Sequence, residues 1–103
     1  MKRYQFIQDP GHGWLVVPYA ECIALNLIGV ISNFSFIDDE TAYLEEDRDM
    51  AVFLCYLRSA GIHEIEIETK YVQSFNRNRE RFSGYDPNRK PECYFPAVSN
   101  WIE

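Results

Sequence analysis

Hydrophobic and polar positions near the N-terminus follow the pattern of two short strands. Residues 4–7 and 14–17 are rich in aromatic and β-branched side chains, and the segment between them contains Pro10, Gly11 and Gly13. Proline presets the backbone for a turn and glycine accepts positive φ at no steric cost. The pattern therefore predicts a tight β-hairpin at the start of the chain.

Two later stretches follow a helical period instead. Apolar residues recur at i, i+3, i+4 and i+7 in residues 20–27 and again in residues 50–57. Gly29 and Gly61 stand where each helix would close with a left-handed residue. We predict a short helix over about residues 19–28 and a second helix that ends before Gly61.

The remaining regular patterns are those of strands. Residues 33–37 and 41–44 flank an acidic turn, which predicts a second hairpin. Residues 63–71 alternate almost without exception, with Ile65 and Ile67 on one side and charged residues on the other. One face packed against the core and one solvent-exposed face, here called the wet face, are typical of an antiparallel sheet.

These elements predict an α+β fold in the order ββα-ββα-β. The economical architecture is one antiparallel sheet with both helices packed on the same face. A chain of 103 residues has room for one domain, which we place at residues 1–71. In residues 72–103, arginines mix with aromatic residues and prolines interrupt any regular element. We expect this segment to be an irregular tail packed on the domain or on a partner.

The composition is that of a folded, acidic protein. The chain is 47% hydrophobic and carries a formal net charge of −6. Twelve acidic and five basic residues lie in residues 1–71, against four acidic and five basic residues in the rest. This excess of acidic residues in the first 71 residues disfavours direct nucleic-acid binding and favours a basic partner. The chain has no run of eighteen apolar residues, so we expect no membrane span.

The cysteines are Cys22, Cys55 and Cys93, an odd number at wide spacing. A disulfide framework favours an even, dense set, and a zinc site favours close pairs. Cys22 and Cys55 also fall on the apolar faces of the predicted helices. We therefore expect reduced thiols, a cytoplasmic location, and neither metal nor cofactor.

His12, between two glycines, is the most conspicuous candidate for chemistry. To act as a general base or a metal ligand, His12 needs a partner residue. A turn shaped by proline and glycine explains residues 9–14 without any such partner. Glu45, Glu46 and Asp47 are explained by the start of a helix. The chain lacks a phosphate loop, a nucleophile elbow and a zinc-protease motif, so we assign no catalytic residue. The alternative is a small enzyme or metal protein in which His12 works with these carboxylates.

The favoured working surface is acidic. The candidate partner-binding residues are Glu64, Glu66, Glu68, Asp38, Asp39 and Glu40, with Trp14, Tyr43 and Trp101 as candidate anchors. The three glutamates stand about 6.6–6.8 Å apart on one strand face, which is near two base steps of a nucleic-acid strand. The acidic turn extends this row if the sheet brings the two groups together. A solvated outer face is the simpler interpretation.

Two strings carry a resemblance to a known group of proteins. The sequence DPGHGWLxVP at residues 9–18 and the sequence YLEEDxD at residues 43–49 resemble small uncharacterised proteins of phages, prophages and other mobile elements. The resemblance covers about residues 4–71. It implies no catalytic residue, but small acidic phage-borne proteins often bind and block a host protein, and anti-CRISPR proteins are the leading example.

The expected function is therefore that of a non-enzymatic binding protein in the cytoplasm of a bacterial host. Its partner would be a host protein with a basic surface, such as a CRISPR–Cas component or another nucleic-acid-binding factor. A dimerisation module is a further alternative, in which an exposed edge strand pairs with a second copy as a homodimer.

Overall fold

The computed structural model describes residues 1–91 and has an α+β architecture with six strands and two helices. The elements in chain order are β1 (Lys2–Gln8), β2 (Gly13–Pro18), α1 (Tyr19–Ala24), β3 (Phe36–Asp38), β4 (Thr41–Glu45), α2 (Asp49–Ser59), β5 (Ile65–Tyr71) and β6 (Glu80–Arg81). The strands lie side by side in the order β5-β1-β2-β4-β3-β6. The predicted α+β class is confirmed.

Both predicted hairpins form. β1 pairs antiparallel with β2, and β3 pairs antiparallel with β4. The second hairpin turns at Asp39, whose φ of 54° lies in the left-handed region. Aspartate tolerates that region better than most residues because its short side chain bonds locally. β2 also pairs with β4, which joins the two hairpins into one sheet.

The sheet is mixed, so the expected antiparallel sheet is only partly correct. β5 runs parallel to β1, from Ile65 opposite Lys2 to Tyr71 opposite Gln8. β4 and β5 run in the same direction, so the chain needs a crossover connection between them. α2 provides this crossover. The alternation along β5 could not reveal its direction, because an edge strand with one wet face shows the same pattern in either orientation.

The sixth strand lies in the segment expected to be irregular. β6 pairs antiparallel with β3, with Arg81 opposite Phe36 and Glu80 opposite Ile37. The predicted order ββα-ββα-β is therefore extended by one short strand. Two consecutive residues are too few to produce a readable alternation in the sequence.

α1 ends earlier than predicted, whereas α2 ends as expected. Asn26, and not Gly29, takes the left-handed conformation after α1, with φ of 58°. The Asn26 amide donates to the Ile23 carbonyl and the Leu27 amide to the Cys22 carbonyl, each at 2.9 Å. These two bonds form a Schellman-type ending. Gly61 has φ of 90° after α2, as its position predicted.

The main core lies between one face of the sheet and the two helices. Strand residues such as Phe6, Leu15 and Leu44 alternate onto this face. α1 contributes Cys22 to the same cluster, and α2 contributes Phe53. Both helices therefore pack on one face of the sheet, as predicted.

The cysteines behave differently from one another. Cys22 is free and buried, and burial raises the pKa of its thiol to about 12. Cys55 is also buried but is disulfide-bonded, so the expectation of reduced thiols is wrong for this residue. Spacing along the chain does not reveal which cysteines the tertiary structure joins. Cys93 lies outside the described residues.

A buried carboxylate ties the start of α2 to the loop before β3. Asp49 accepts hydrogen bonds from the Ser32 amide at 3.0 Å and from the Ser32 and Ser35 hydroxyls at 2.6 and 2.5 Å. The Arg48 guanidinium donates to Asp49 at 2.8 Å and to the Val30 carbonyl at 2.7 Å. A buried charge is tolerated only when such partners satisfy it. The cluster therefore couples this loop to the helix.

The substitution Asp49→Asn should lower the free energy of unfolding by about 3 kcal/mol, because it removes one partner of a buried ion pair. Asp39→Asn, the same change at an exposed turn, should alter it by less than about 0.5 kcal/mol. Urea unfolding followed by circular dichroism measures both. Equal unfolding midpoints for the two variants would contradict a stabilising role for the cluster.

Candidate binding site

The other face of the sheet carries a second, smaller apolar cluster. Trp14, Phe36 and Phe75 form its buried centre, and Ile7 and Tyr43 pack around them. The strand residues of this cluster occupy positions that alternate with those of the main core, so they point to the opposite face. Phe75 is the exception, because it comes from the segment that follows β5.

Residues 72–79, which we call the strap, join β5 to β6 and cover this second face. Phe75 is 5% exposed and stacks on Trp14, with ring centroids 3.9 Å apart and an interplanar angle of 16°. It also meets Tyr43 edge-on at 5.4 Å. Offset-stacked and edge-to-face contacts are the favoured arrangements of aromatic rings. Phe75 therefore fixes the middle of the strap to the sheet.

Arginines at alternate positions continue this contact. The guanidinium of Arg77 lies 5.2 Å from the Trp14 ring, that of Arg79 lies 4.4 Å from Tyr43, and that of Arg81 lies 4.7 Å from Phe36. A cation over a ring face contributes about 0.5–1 kcal/mol at an exposed site. The mixture of arginine and aromatic residues in this segment thus serves to cover the sheet.

Asp9 holds the first hairpin turn and the strap together. Its Oδ1 accepts hydrogen bonds from the Gly11 and His12 amides at 2.9 and 2.8 Å, which shapes the turn. Its Oδ2 accepts from the Phe75 amide at 3.2 Å and from Arg77 at 3.5 Å. The His12 hydrogen bond, supported by those of Phe75 and Gly11 and by the Arg77 charge, holds the pKa of Asp9 below its usual value.

An open cavity of about 370 Å³ lies beside the strap. Its lining combines the aromatic rings of Trp14, Phe34 and Phe36 with the charged or titratable side chains of His12, Glu45, Asp47, Arg48, Arg77 and Arg81. The indole N–H of Trp14 is buried and has no hydrogen-bond partner among the described residues. Aromatic walls with a few polar groups are the usual composition of a binding site.

Glu45 makes the charge of this cavity depend on pH. Burial raises the pKa of Glu45 to about 7, and the side chain of Asp47 raises it as well, against a lowering hydrogen bond from the Asp47 amide. That amide lies 2.8 Å from Glu45 Oε2. Burial also raises the pKa of Glu46. A carboxyl group that titrates near neutral pH can donate or accept a hydrogen bond.

His12 lines the cavity, and its charge acts against the burial that raises the pKa of the Glu46 carboxyl. Its ring is tilted against Trp14, with centroids 6.0 Å apart. Within residues 1–91, no carboxylate oxygen lies within 4.0 Å of an imidazole nitrogen of His12, and no cluster of three metal-ligating side chains forms. The alternative of a His12-dependent enzyme stays a prediction.

The two predicted acidic groups lie at different places in the sheet. Glu64, Glu66 and Glu68 lie at the β5 edge, and residues 38–40 form the turn between β3 and β4. Three strands separate β5 from β3, which corresponds to about 19 Å at the usual interstrand spacing. The sheet therefore does not combine the two groups into one row.

Two of the three predicted anchors, Trp14 and Tyr43, do not project freely into solvent. Trp14 is 2% exposed, and Tyr43 is half-buried under Arg79. Trp101 lies outside the described residues. Sequence reasoning missed the roles of Asp9 and Phe75. The order Asp-Pro-Gly is a recognisable turn signal for Asp9, whereas Phe75 has no local signal because its partners are distant in sequence.

Comparisons with known proteins found no relatives. No protein-family model matches the chain, and neither a curated protein nor a solved structure matches it. The resemblance to phage and prophage proteins therefore stays a prediction. Within residues 1–91, no helix has the length and apolar character needed to cross a membrane.

Removing the Phe75 ring should detach the strap. Phe75→Ala should lower the free energy of unfolding by about 3 kcal/mol because it empties a buried aromatic site. In a Trp101→Phe background, Trp14 is the sole indole, and its fluorescence should shift to longer wavelength as water reaches it. Phe34 is 65% exposed, so Phe34→Ala should change stability by less than about 0.5 kcal/mol. Equal losses in the two variants would count against this role of Phe75.

Glu45→Gln should change how stability depends on pH. Because the pKa of Glu45 is raised from 4.5 to about 7, the folded protein binds more protons than the unfolded chain in this window. Wild-type stability therefore falls as pH rises through the window. Glutamine stays neutral throughout this pH range. The free energy of unfolding of the variant should therefore equal that of the wild type near pH 4.5 and exceed it above about pH 7.

Urea unfolding on either side of this window tests the expectation for Glu45. Glu40→Gln makes the same substitution at an exposed turn that does not line the cavity, and it serves as the matched control. A constant difference between Glu45→Gln and the wild type at all pH values would contradict the raised pKa.

Proposed function

We propose that this chain is a non-enzymatic binding protein of mobile-element type that antagonises or modulates a protein of its bacterial host. Its partner carries a basic surface, and CRISPR–Cas components are the first class to test because their basic grooves hold nucleic acid. The proposed location is the host cytoplasm. The proposed recognition surface is the wet face of β5.

The carboxylates on β5 and on the residue directly before it are the observation that supports this proposal. Glu64, Glu66 and Glu68 are all exposed. In the described part of the chain, the one ion pair among them joins Glu66 to Arg3 at 3.8 Å, with both side chains more than half exposed. Such a pair contributes at most about 1 kcal/mol and is readily exchanged. The row is therefore available to a cationic partner.

The position of this row favours one continuous contact surface. Ile65 and Ile67 pack toward the main core, so Glu66 and Glu68 share the second face of the sheet with the strap. A partner lying across this face would meet the carboxylates first and the strap and cavity beyond them. Charge complementarity would chiefly set the association rate and specificity.

Affinity would need buried contacts in addition to charge. Because Trp14 lines the cavity instead of projecting from the surface, the partner would supply the inserted side chain. This arrangement reverses the role expected for Trp14 as an anchor.

A phage-plating assay tests the proposal. The chain is expressed in bacteria whose CRISPR–Cas system targets a phage, and restored plaque formation by that phage, with no change for an untargeted phage, is the expected result. Glu66→Gln combined with Glu68→Gln should reduce the restoration about tenfold, because the two charges increase the association rate. Asp39→Asn combined with Glu40→Gln removes the same charge at the distant turn and should retain it.

The proposal fails if plaque formation is restored against none of a panel of CRISPR–Cas types and if the immobilised chain retains no host protein. Equal effects of the two double variants would instead contradict the assignment of the surface to β5.

A further inference from the structure

The edge of β5 that faces away from β1 has no strand partner among residues 1–91 and can accept another strand. β5 lies at one end of the strand order, and its strand partner within residues 1–91 is β1. An edge strand of seven residues exposes a row of backbone groups that readily pair with a further strand. The strand at the other edge, β6, has only two residues. A stable pairing therefore has one suitable edge in this part of the chain.

Backbone hydrogen bonds identify the residues that face this edge. The Glu64 carbonyl accepts from the Lys2 amide at 3.0 Å, and the Val72 amide donates to the Gln8 carbonyl at 2.8 Å. In a parallel ladder, alternate residues of a strand bond to a given neighbour. Even-numbered residues of β5 therefore direct their backbone groups to β1. The odd-numbered residues of Ile65–Tyr71 direct theirs outward.

We propose that two copies of this chain pair antiparallel through β5, about a two-fold axis at Thr69. Thr69 then faces Thr69 of the second copy, and Ile67 faces Tyr71. Because all of these residues direct their backbone groups outward, the pairing forms about six hydrogen bonds between the copies. The two six-stranded sheets join into one sheet of twelve strands.

Side-chain charge favours this register. On the wet face, Glu68 of each copy stands opposite Lys70 of the other, with Cβ atoms about 4.5–5.5 Å apart. An axis at Glu68 would place two glutamates opposite each other. An axis at Lys70 would place two lysines opposite each other. An axis at Ile67 would oppose Glu66 to Glu68. The axis at Thr69 creates two attractive pairs and avoids these repulsions.

Tyr71 is an independent observation that fits the same arrangement. This residue is 77% exposed, the largest exposure among the bulky apolar residues of the described chain. In the proposed dimer it lies directly across from Ile67 of the second copy. Aromatic and β-branched residues form favourable cross-strand pairs. Pairing through β5 therefore covers a ring that a single copy leaves in water.

The dimer goes beyond the proposed host interaction and does not depend on it. Each copy carries three glutamates on the wet face at β5, so pairing would bring six together around the axis. The edge of β5 is used for pairing, while its wet face stays open. Both contacts can therefore form at the same time.

Exchanging the two facing charges tests the pairing. Wild-type protein should reach twice the chain mass of 12.2 kDa in sedimentation equilibrium as its concentration is raised. Glu68→Lys and Lys70→Glu should each weaken dimerisation about tenfold, because each creates two like-charged pairs. The double exchange restores the attraction and should return dimerisation to within about threefold of wild type. Glu40→Lys, with the same charge change far from β5, should have little effect.

The pairing is overturned if the wild type stays monomeric at the highest soluble concentration, or if the double exchange fails to dimerise while circular dichroism shows it folded. It is also overturned if either single exchange dimerises like the wild type. A wild-type dimer without plaque restoration would support the pairing and count against the host interaction.

Discussion

The two oxygens of the Asp9 carboxylate connect the beginning of the chain to its last described third. One oxygen shapes the first hairpin turn through the Gly11 and His12 amides, and the other holds the Phe75 amide. Because Phe75 then lies on Trp14, this carboxylate sets where the strap crosses the sheet. The arginine contacts and the cavity wall follow from that position. A residue whose neighbours suggest only a turn thus organises an entire face of the protein.

The two faces of the sheet are closed in physically different ways. Two helices and the loops beside them cover the main core, whose residues are almost completely buried. A single irregular segment covers the other face, where arginines lie on aromatic rings and remain partly exposed. A cover one segment wide cannot seal a sheet face, so a cavity remains beside it. The chemically varied surface of this protein therefore lies on the strap side.

β5 presents two distinct surfaces. Its wet face carries carboxylates whose charge acts over a distance of several ångströms and suits a cationic partner. Its edge carries backbone groups that act only in direct contact and suit another strand. The proposed host interaction and the proposed dimer therefore use different chemistry on the same strand.

The sequence by itself determined the features that depend on local periodicity and turn residues. The two hairpins, the end of α2 at Gly61 and the alternation of β5 all follow from neighbours within a few positions. The tertiary structure decided where distant segments meet: the parallel direction of β5, the pairing of β6 with β3, the separation of the acidic groups and the contact of Phe75 with Trp14. Alternation is the same in a parallel and an antiparallel strand, and a buried ring shows no preferred partner in its local sequence. Those choices depend on the packing of the whole sheet.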